Sequence, residues 1–302
     1  MSLLVTGSLG IDTVETPHGR AAEVLGGTAV YCSFAASLFV PVRLVGVVGE
    51  DFPPAFRDLF SSHEIDLAGL ETRAGSKTFR WTGKYEGAMN EAQTLGVDLN
   101  VLAERGPSIP ASFTDSDYVF LANTHPALQR DLLGQLDQPK LVVCDTMNLW
   151  IENERDELIK TLGVVHGVVL NDCEARMLTG ETNLIKAAKR ILDFGPRFVV
   201  VKKGEHGSLL AGEDVVFVLP AFPAEEVRDP TGAGDSFAGG MLGYLASVDR
   251  QDIGALKQAV VRGTVTASFT IEDFSLNRLR KTEKHELAGR LAELLGATQL
   301  SA

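Results

Sequence analysis

Short apolar runs rich in valine and leucine recur at residues 3–6, 42–48, 118–121, 141–144, 167–170 and 198–202, with segments of helical period between them. Strands buried on both faces of a sheet show continuous apolar sequence rather than alternation. This rhythm therefore predicts an α/β fold, a doubly wound, mostly parallel sheet with helices on both faces. The spacing predicts helices over 28–39, 53–62, 172–179, 184–194, 235–246, 252–269 and 283–295. Residues 208–211 and 215–219, joined through Gly212-Glu213-Asp214, predict a hairpin. No internal repeat or low-complexity linker interrupts the pattern, so one domain over 1–302 is expected.

One segment breaks the rhythm. From Lys77 to Glu86 the chain alternates, with Phe79, Trp81, Gly83 and Tyr85 on one side and Arg80, Thr82, Lys84 and Glu86 on the other. That period of two predicts an antiparallel strand inserted into a parallel scheme. It fits either an ordinary edge hairpin or a small sheet that closes over a ligand and excludes water. Its apolar face also offers a surface through which two subunits can pair.

Composition narrows the partners. The chain has 302 residues, 45% of them hydrophobic, and 28 Lys and Arg against 40 Asp and Glu give a net charge of −12. Such an acidic chain is a poor partner for nucleic acid or an anionic membrane. The three cysteines, Cys32, Cys144 and Cys173, lie far apart in apolar surroundings and predict reduced core thiols, without the spacing of a metal site. The N-terminal residues lack a basic segment, and the nearly apolar stretch 29–42 contains Ser33, Ser37 and Pro41 and is too short to cross a bilayer. A cytoplasmic protein is expected.

The candidate chemistry centres on residues 229–240, Asp-Pro-Thr-Gly-Ala-Gly-Asp-Ser-Phe-Ala-Gly-Gly. Thr231, Gly232, Ala233 and Gly234 present main-chain N–H groups that no large side chain shields, just before a predicted helix. A helix start carries partial positive charge and unpaired N–H groups, which suits a phosphate or a developing oxyanion. Asp235 sits at the mouth of that loop. It reads either as a first-turn helix residue or as a base that takes the proton of a hydroxyl attacking phosphorus. Asp12, after the first strand, can accept two hydroxyl hydrogens, although a solvated turn residue has the same signature. Asn123, His125 and Gln129 follow another strand end as weaker candidates. Asn171 and Glu174, three apart at a strand-to-helix junction, fit either a capping box or a paired polar site. Lys202 and Gly204 end a buried strand.

Residues 229–240 resemble the second signature of the ribokinase-like PfkB family of carbohydrate kinases, and further motifs agree along nearly the whole chain. The resemblance implies that Gly232, Ala233 and Gly234 form the anion hole and that Asp235 is the catalytic base. Gly26-Gly27 resembles the start of the first signature and Asp12 is similar in spacing to the family's sugar-binding Asp, which implies a shared substrate site, with Asn123 at another strand end as a weaker candidate for it. Four residues after Gly27 the family usually carries Asn, and this chain has Tyr31. By resemblance, Asn171 and Glu174 order Mg²⁺, while Asn171, Lys202, Gly204, Thr231 and Gly232 bind nucleotide. Asp145-Thr146-Met147-Asn148 loosely resembles a further family stretch. The fold implied is ribokinase-like, with a β lid from about 12–24 and 66–97. The activity implied is transfer of the γ-phosphoryl group of ATP to a hydroxyl of a small sugar, with a nucleoside as the alternative acceptor and a homodimer through the lid as a possible assembly. Two readings from other classes compete, a nucleotide-binding oxidoreductase and a noncatalytic sensor. Gly232-x-Gly234 lacks the third glycine of a dinucleotide fingerprint, because Phe237 stands there.

Overall fold

The computed structural model describes residues 1–299. Its strands in chain order are β1 (Leu3–Thr6), β2 (Gly10–Thr16), β3 (Gly19–Gly26), β4 (Val42–Gly49), β5 (Ile65–Arg73), β6 (Phe79–Tyr85) and β7 (Ala92–Asp98). They continue with β8 (Tyr118–Leu121), β9 (Leu141–Asp145), β10 (Gly167–Asn171), β11 (Phe198–Lys202), β12 (Ser208–Gly212) and β13 (Val215–Leu219). The α-helices are α1 (Thr28–Ser37), α2 (Pro54–Ser61), α3 (Pro126–Leu133), α4 (Asn148–Asn153) and α5 (Arg155–Leu162). The second half adds α6 (Asp172–Thr179), α7 (Leu184–Leu192), α8 (Ala233–Val248), α9 (Ile253–Thr270) and α10 (Lys284–Thr298).

The described strands form a large sheet in the order β13-β12-β11-β10-β9-β8-β1-β4-β5 and a small sheet in the order β3-β2-β6-β7. The large sheet is parallel from β5 through β11, and the β12–β13 hairpin adds two antiparallel strands at one edge. Alternate residues of one strand feed opposite cores: Leu3 and Val5 face α1, α8 and α9, whereas Leu4 faces the side of α5, α6 and α7. Burial on both faces is why these strands read as continuous apolar runs. None of the described helices is long and apolar enough to cross a membrane.

Two expectations need correction. Residues 66–73, expected within the lid segment, form β5 at the edge of the large sheet. The alternating segment also pairs in a mixed way: β6 runs antiparallel to β7 but parallel to β2, with Gly10 opposite Phe79. A parallel pair needs a long crossover, and the whole α1–β4–α2–β5 excursion through the large sheet supplies it.

Helices α1, α8 and α9 pack closely because small residues line their contacts. A Cβ added at Gly239 would fall 2.3 Å from the carbonyl oxygen of Cys32 and 2.8 Å from Cβ of Ala35. Backbone stands in the way, so a rotamer change cannot relieve the clash. Gly239→Ala is expected to destabilise the fold by about 1–3 kcal/mol through overpacking, read as a lower urea midpoint with an unchanged slope. A midpoint equal to that of the parent would contradict this packing.

Candidate active site

Parallel strands deliver their carboxyl ends to one edge, where ligands of open α/β sheets bind. Asp145 closes β9, and Asn171 and Lys202 close β10 and β11 as register partners. Helix α8 begins at Ala233, two residues earlier than expected, with Gly232 as its N-cap at φ 74°. Positive φ is open to glycine, and space demands glycine as well: a Cβ there would lie 2.3 Å from the Tyr31 ring.

The early start places Asp235 in the first turn of α8 and settles which N–H groups face outward. The Thr231 N–H donates to Asp229 Oδ1 at 2.9 Å, and the Ala233 N–H donates to Pro230 O at 3.1 Å. These two were expected in the open cradle and are not available to it. The N–H groups of Gly232, Gly234 and Asp235 have no hydrogen-bond acceptor among the described residues. Three donors at a helix start remain, enough for an anion.

Lys202 stands over this helix start. Its Nζ lies 2.9 Å from the point a Cβ on Gly234 would occupy and 3.8 Å from Asp145 Oδ2. Burial alone would lower the ammonium pKa, but Asp145, Glu174 and Asp235 outweigh it and hold the pKa above its ordinary value. The carboxyl groups move the other way. Burial pushes Asp235 well up, Asp145, Glu174 and Asp12 push in the same direction, and Lys202 opposes them. Burial likewise raises Asp145, and it raises Glu174 to about 7 with help from Asp145.

Asn171 and Glu174 form the capping box: Asn171 Oδ1 accepts from the Glu174 N–H at 2.8 Å, and Glu174 Oε2 accepts from the Asn171 N–H at 2.6 Å. No group of three or more His, Cys, Asp or Glu among the described residues is arranged to cage a metal. Buried acids sharing one lysine fit instead a magnesium ion that stays largely hydrated and reaches the protein through a carboxylate or its waters.

Asp12 is buried against the paired glycines. A Cβ on Gly26 would meet Asp12 Oδ2 at 1.9 Å, so only glycine lets the carboxylate lie there. Burial raises Asp12 to about 7, the Gly27 N–H opposes that shift, and Asp229 adds to it. Asp229 itself is pinned, its Oδ2 accepting from the Ser275 N–H at 3.2 Å.

The weaker candidates are bonded within the fold. Asn123 Oδ1 accepts from Trp150 Nε1 at 2.9 Å while its Nδ2 faces Met147 Sδ, so its amide is already engaged. Gln129 Nε2 donates to carbonyls of Leu121, Ala122 and Asp145, and His125 caps α3. Cys32 and Cys144 are core thiols as expected, but Cys173 is exposed, with its Sγ donating to Glu91 Oε1 at 3.3 Å. Sequence reasoning did not assign the small-sheet residues that reach this edge. Thr231 Oγ1 donates to Tyr85 Oη at 3.4 Å, and Asn90 Nδ2 donates to Glu205 Oε1 at 3.0 Å beside Gly204. The alternation that ends at Tyr85 was the available signal for the first, and the second carried none.

A model of the pfkB family carbohydrate kinases matches residues 11–282. The chain belongs to the pfkB family of carbohydrate kinases. It is 32% identical over 252 residues to the cytidine kinase of Thermococcus kodakarensis, covering 81% of this chain and 88% of that one. It is 43% identical over 264 residues to the nucleoside kinase of Methanothermobacter thermautotrophicus, covering 86% and 82%. The fold is shared with Burkholderia thailandensis nucleoside kinase in complex with inosine, at a TM-score of 0.76 and 18% identity over 97% of this chain and 99% of that one. Membership makes this pfkB kinase a phosphotransferase with a hydroxyl acceptor, and the oxidoreductase alternative falls.

The raised acids of this kinase fix a pH trend. The unfolded chain releases carboxyl protons near pH 4, whereas folded Asp12 and Glu174 hold theirs to about 7, and Asp145, Asp229 and Asp235 are raised as well. Between those values the folded state binds more protons, so these groups contribute stability at mildly acidic pH that is lost as pH rises. His166, whose imidazole is depressed by burial, works the other way through a single group. The melting temperature of the free protein is expected to fall between about pH 5 and about pH 8, and Asp12→Asn should flatten that fall. A slope untouched by Asp12→Asn would contradict the burial of that carboxylate.

Proposed function

We propose that this kinase transfers the γ-phosphoryl group of ATP to a hydroxyl on the sugar of a nucleoside, with a free small sugar as the broader acceptor class. The observation that carries the phosphotransfer reading is Asp235 on the first turn of α8, beside the unpaired N–H groups of Gly232 and Gly234 and under Lys202. The nucleoside preference is supported by the cytidine kinase and nucleoside kinase relatives, each matched over more than four-fifths of its length.

In this reading Asp12, with Gly26 and Gly27 behind it, holds the acceptor, and Asp235 takes the proton of the attacking hydroxyl. A carboxylate raised by burial is a stronger base than one in water, provided a cation keeps it ionised; Lys202 opposes the upward shift of Asp235. The N–H groups of Gly232, Gly234 and Asp235 face the transferring phosphoryl group, whose loose transition state asks mainly for positioning and charge compensation. Lys202, Gly204, Asn171, Thr231 and Gly232 line the nucleotide side. Asn171 and Glu174 would hold a hydrated magnesium ion, which when bound offsets charge on the phosphates. Leu95, Val97 and Leu99, exposed on and just after β7, support pairing of two copies through the small sheet.

Incubation with ATP, magnesium and a panel of nucleosides and free sugars, with ADP release followed alongside nicotinamide absorbance, tests the reading. Nucleosides are expected to be the faster acceptors; exclusive turnover of free sugars would overturn the nucleoside assignment. Asp235→Asn should lower turnover by ~100- to ~10,000-fold with the melting transition retained. Near-normal turnover in that variant would remove Asp235 from the role of base.

A further inference from the structure

The connection between β6 and β7 runs across the ends of two strands of the large sheet. After Tyr85, the Met89 N–H donates to Glu86 O at 3.0 Å and closes a turn in which Gly87 and Met89 have φ of 57° and 55°. Glycine adopts that left-handed region freely, whereas a methionine is strained there and depends on its surroundings to hold it. The two residues that leave the turn are both held. Asn90 Nδ2 donates to Glu205 Oε1 at 3.0 Å, and Glu91 Oε1 accepts from Cys173 Sγ at 3.3 Å. Glu205 follows β11 and Cys173 follows β10, so the connection bridges neighbouring strand ends.

The Asn90 carboxamide meets the turn after β11 at both of its polar atoms. While Nδ2 holds Glu205, Oδ1 lies 3.1 Å from the point a Cβ on Gly204 would occupy. Gly204 has φ 53° and enters a turn in which the Lys203 N–H donates to Gly207 O at 2.8 Å and the Gly207 N–H donates to Gly204 O at 3.1 Å. Lys202, whose ammonium stands over the start of α8, is two residues before Gly204. A carboxamide fitted against a bare glycine therefore fixes the main chain next to the buried ammonium. The contact comes from the small sheet, not from the large sheet that carries Lys202.

We propose that Asn90 is a positioning residue for the nucleotide: through Glu205 and the open face of Gly204 it fixes the turn after β11. The inference rests on the kinase reading above, in which Lys202 and Gly204 lie on the nucleotide side. Asn90 itself acts through the turn. Its loss loosens residues that meet ATP and leaves Asp12, Gly26 and Gly27 as they are, so the effect falls on one substrate rather than on both.

Asn90→Ala is expected to raise the KM for ATP by ~3- to ~10-fold, the scale of one hydrogen bond, with kcat and the KM for the acceptor within about twofold of the parent. Glu205→Ala should match it, the double variant should be no worse than either alone, and Glu205→Gln, which keeps an acceptor oxygen, should stay with the parent. Additive effects in the double variant overturn the proposal, as do equal rises in KM for ATP and acceptor. Labelling with iodoacetamide reads the contact without turnover, because Cys173 is exposed while Cys32 and Cys144 are buried. In Asn90→Ala the loosened connection should draw Glu91 away and speed alkylation of Cys173 by ~3- to ~10-fold. An unchanged labelling rate overturns the contact whether or not the kinase is active. A parent that consumes no ATP with any acceptor overturns the kinase reading and the nucleotide role of Asn90 with it, whereas an active parent whose KM for ATP ignores Asn90→Ala overturns this inference alone.

Discussion

The Lys202 ammonium, held at the end of β11 above the first turn of α8, is the charge around which the edge of the large sheet is organised. Asp145, Glu174 and Asp235 are all raised by burial, and Lys202 opposes the shift of each. Taking away that charge would leave the acids to repel one another in a poorly solvated place, where they would take up protons. The register of β10 and β11 matters for the same reason. It sets Lys202 beside Asn171, and the capping box that follows Asn171 fixes Glu174 on the lysine's side of the helix. Packing thus governs the protonation of the carboxylate on the first turn of α8.

The small sheet meets this edge at more than one point. Tyr85 touches Thr231 on the anion loop, while Asn90 and Glu91, a few residues on, bond Glu205 and Cys173 beside the strand ends. One β6–β7 segment therefore touches both the loop before α8 and the residues that follow β10 and β11. Because β2 carries Asp12 and pairs directly with β6, main-chain hydrogen bonds tie the position of β6 to that carboxylate.

Much of the large sheet was legible because its strands are buried on both faces. Residues 3–6, 118–121 and 198–202 match their strands in full, and α6 matches its expected span. What escaped had weak local signals. Every residue of β7 is exposed, so no apolar alternation marks it, and α3 begins at Pro126 with a short segment whose cap is a histidine. The parallel pairing of β2 with β6 depends on contacts between distant segments that no local period encodes. At the site, the glycine run revealed the loop but not which N–H groups stay free. That depended on Asp229 and Pro230 capturing those of Thr231 and Ala233.

The departure at Tyr31 shows how the remaining chemistry is tied to packing. An Asn there would offer an amide, but it would leave empty the space beneath Gly232 that the Tyr31 ring now fills. The left-handed N-cap at Gly232 is held against that ring, so Tyr31 sets the shape of the loop that precedes α8. Any exchange of Tyr31 for a smaller side chain removes the support beneath Gly232, whereas loss of the hydroxyl alone leaves the ring in place. Tyr31 Oη and Asp12 Oδ1 are both buried without a hydrogen-bond partner among the described residues, so the packing that shapes this loop costs the fold two unsatisfied polar atoms.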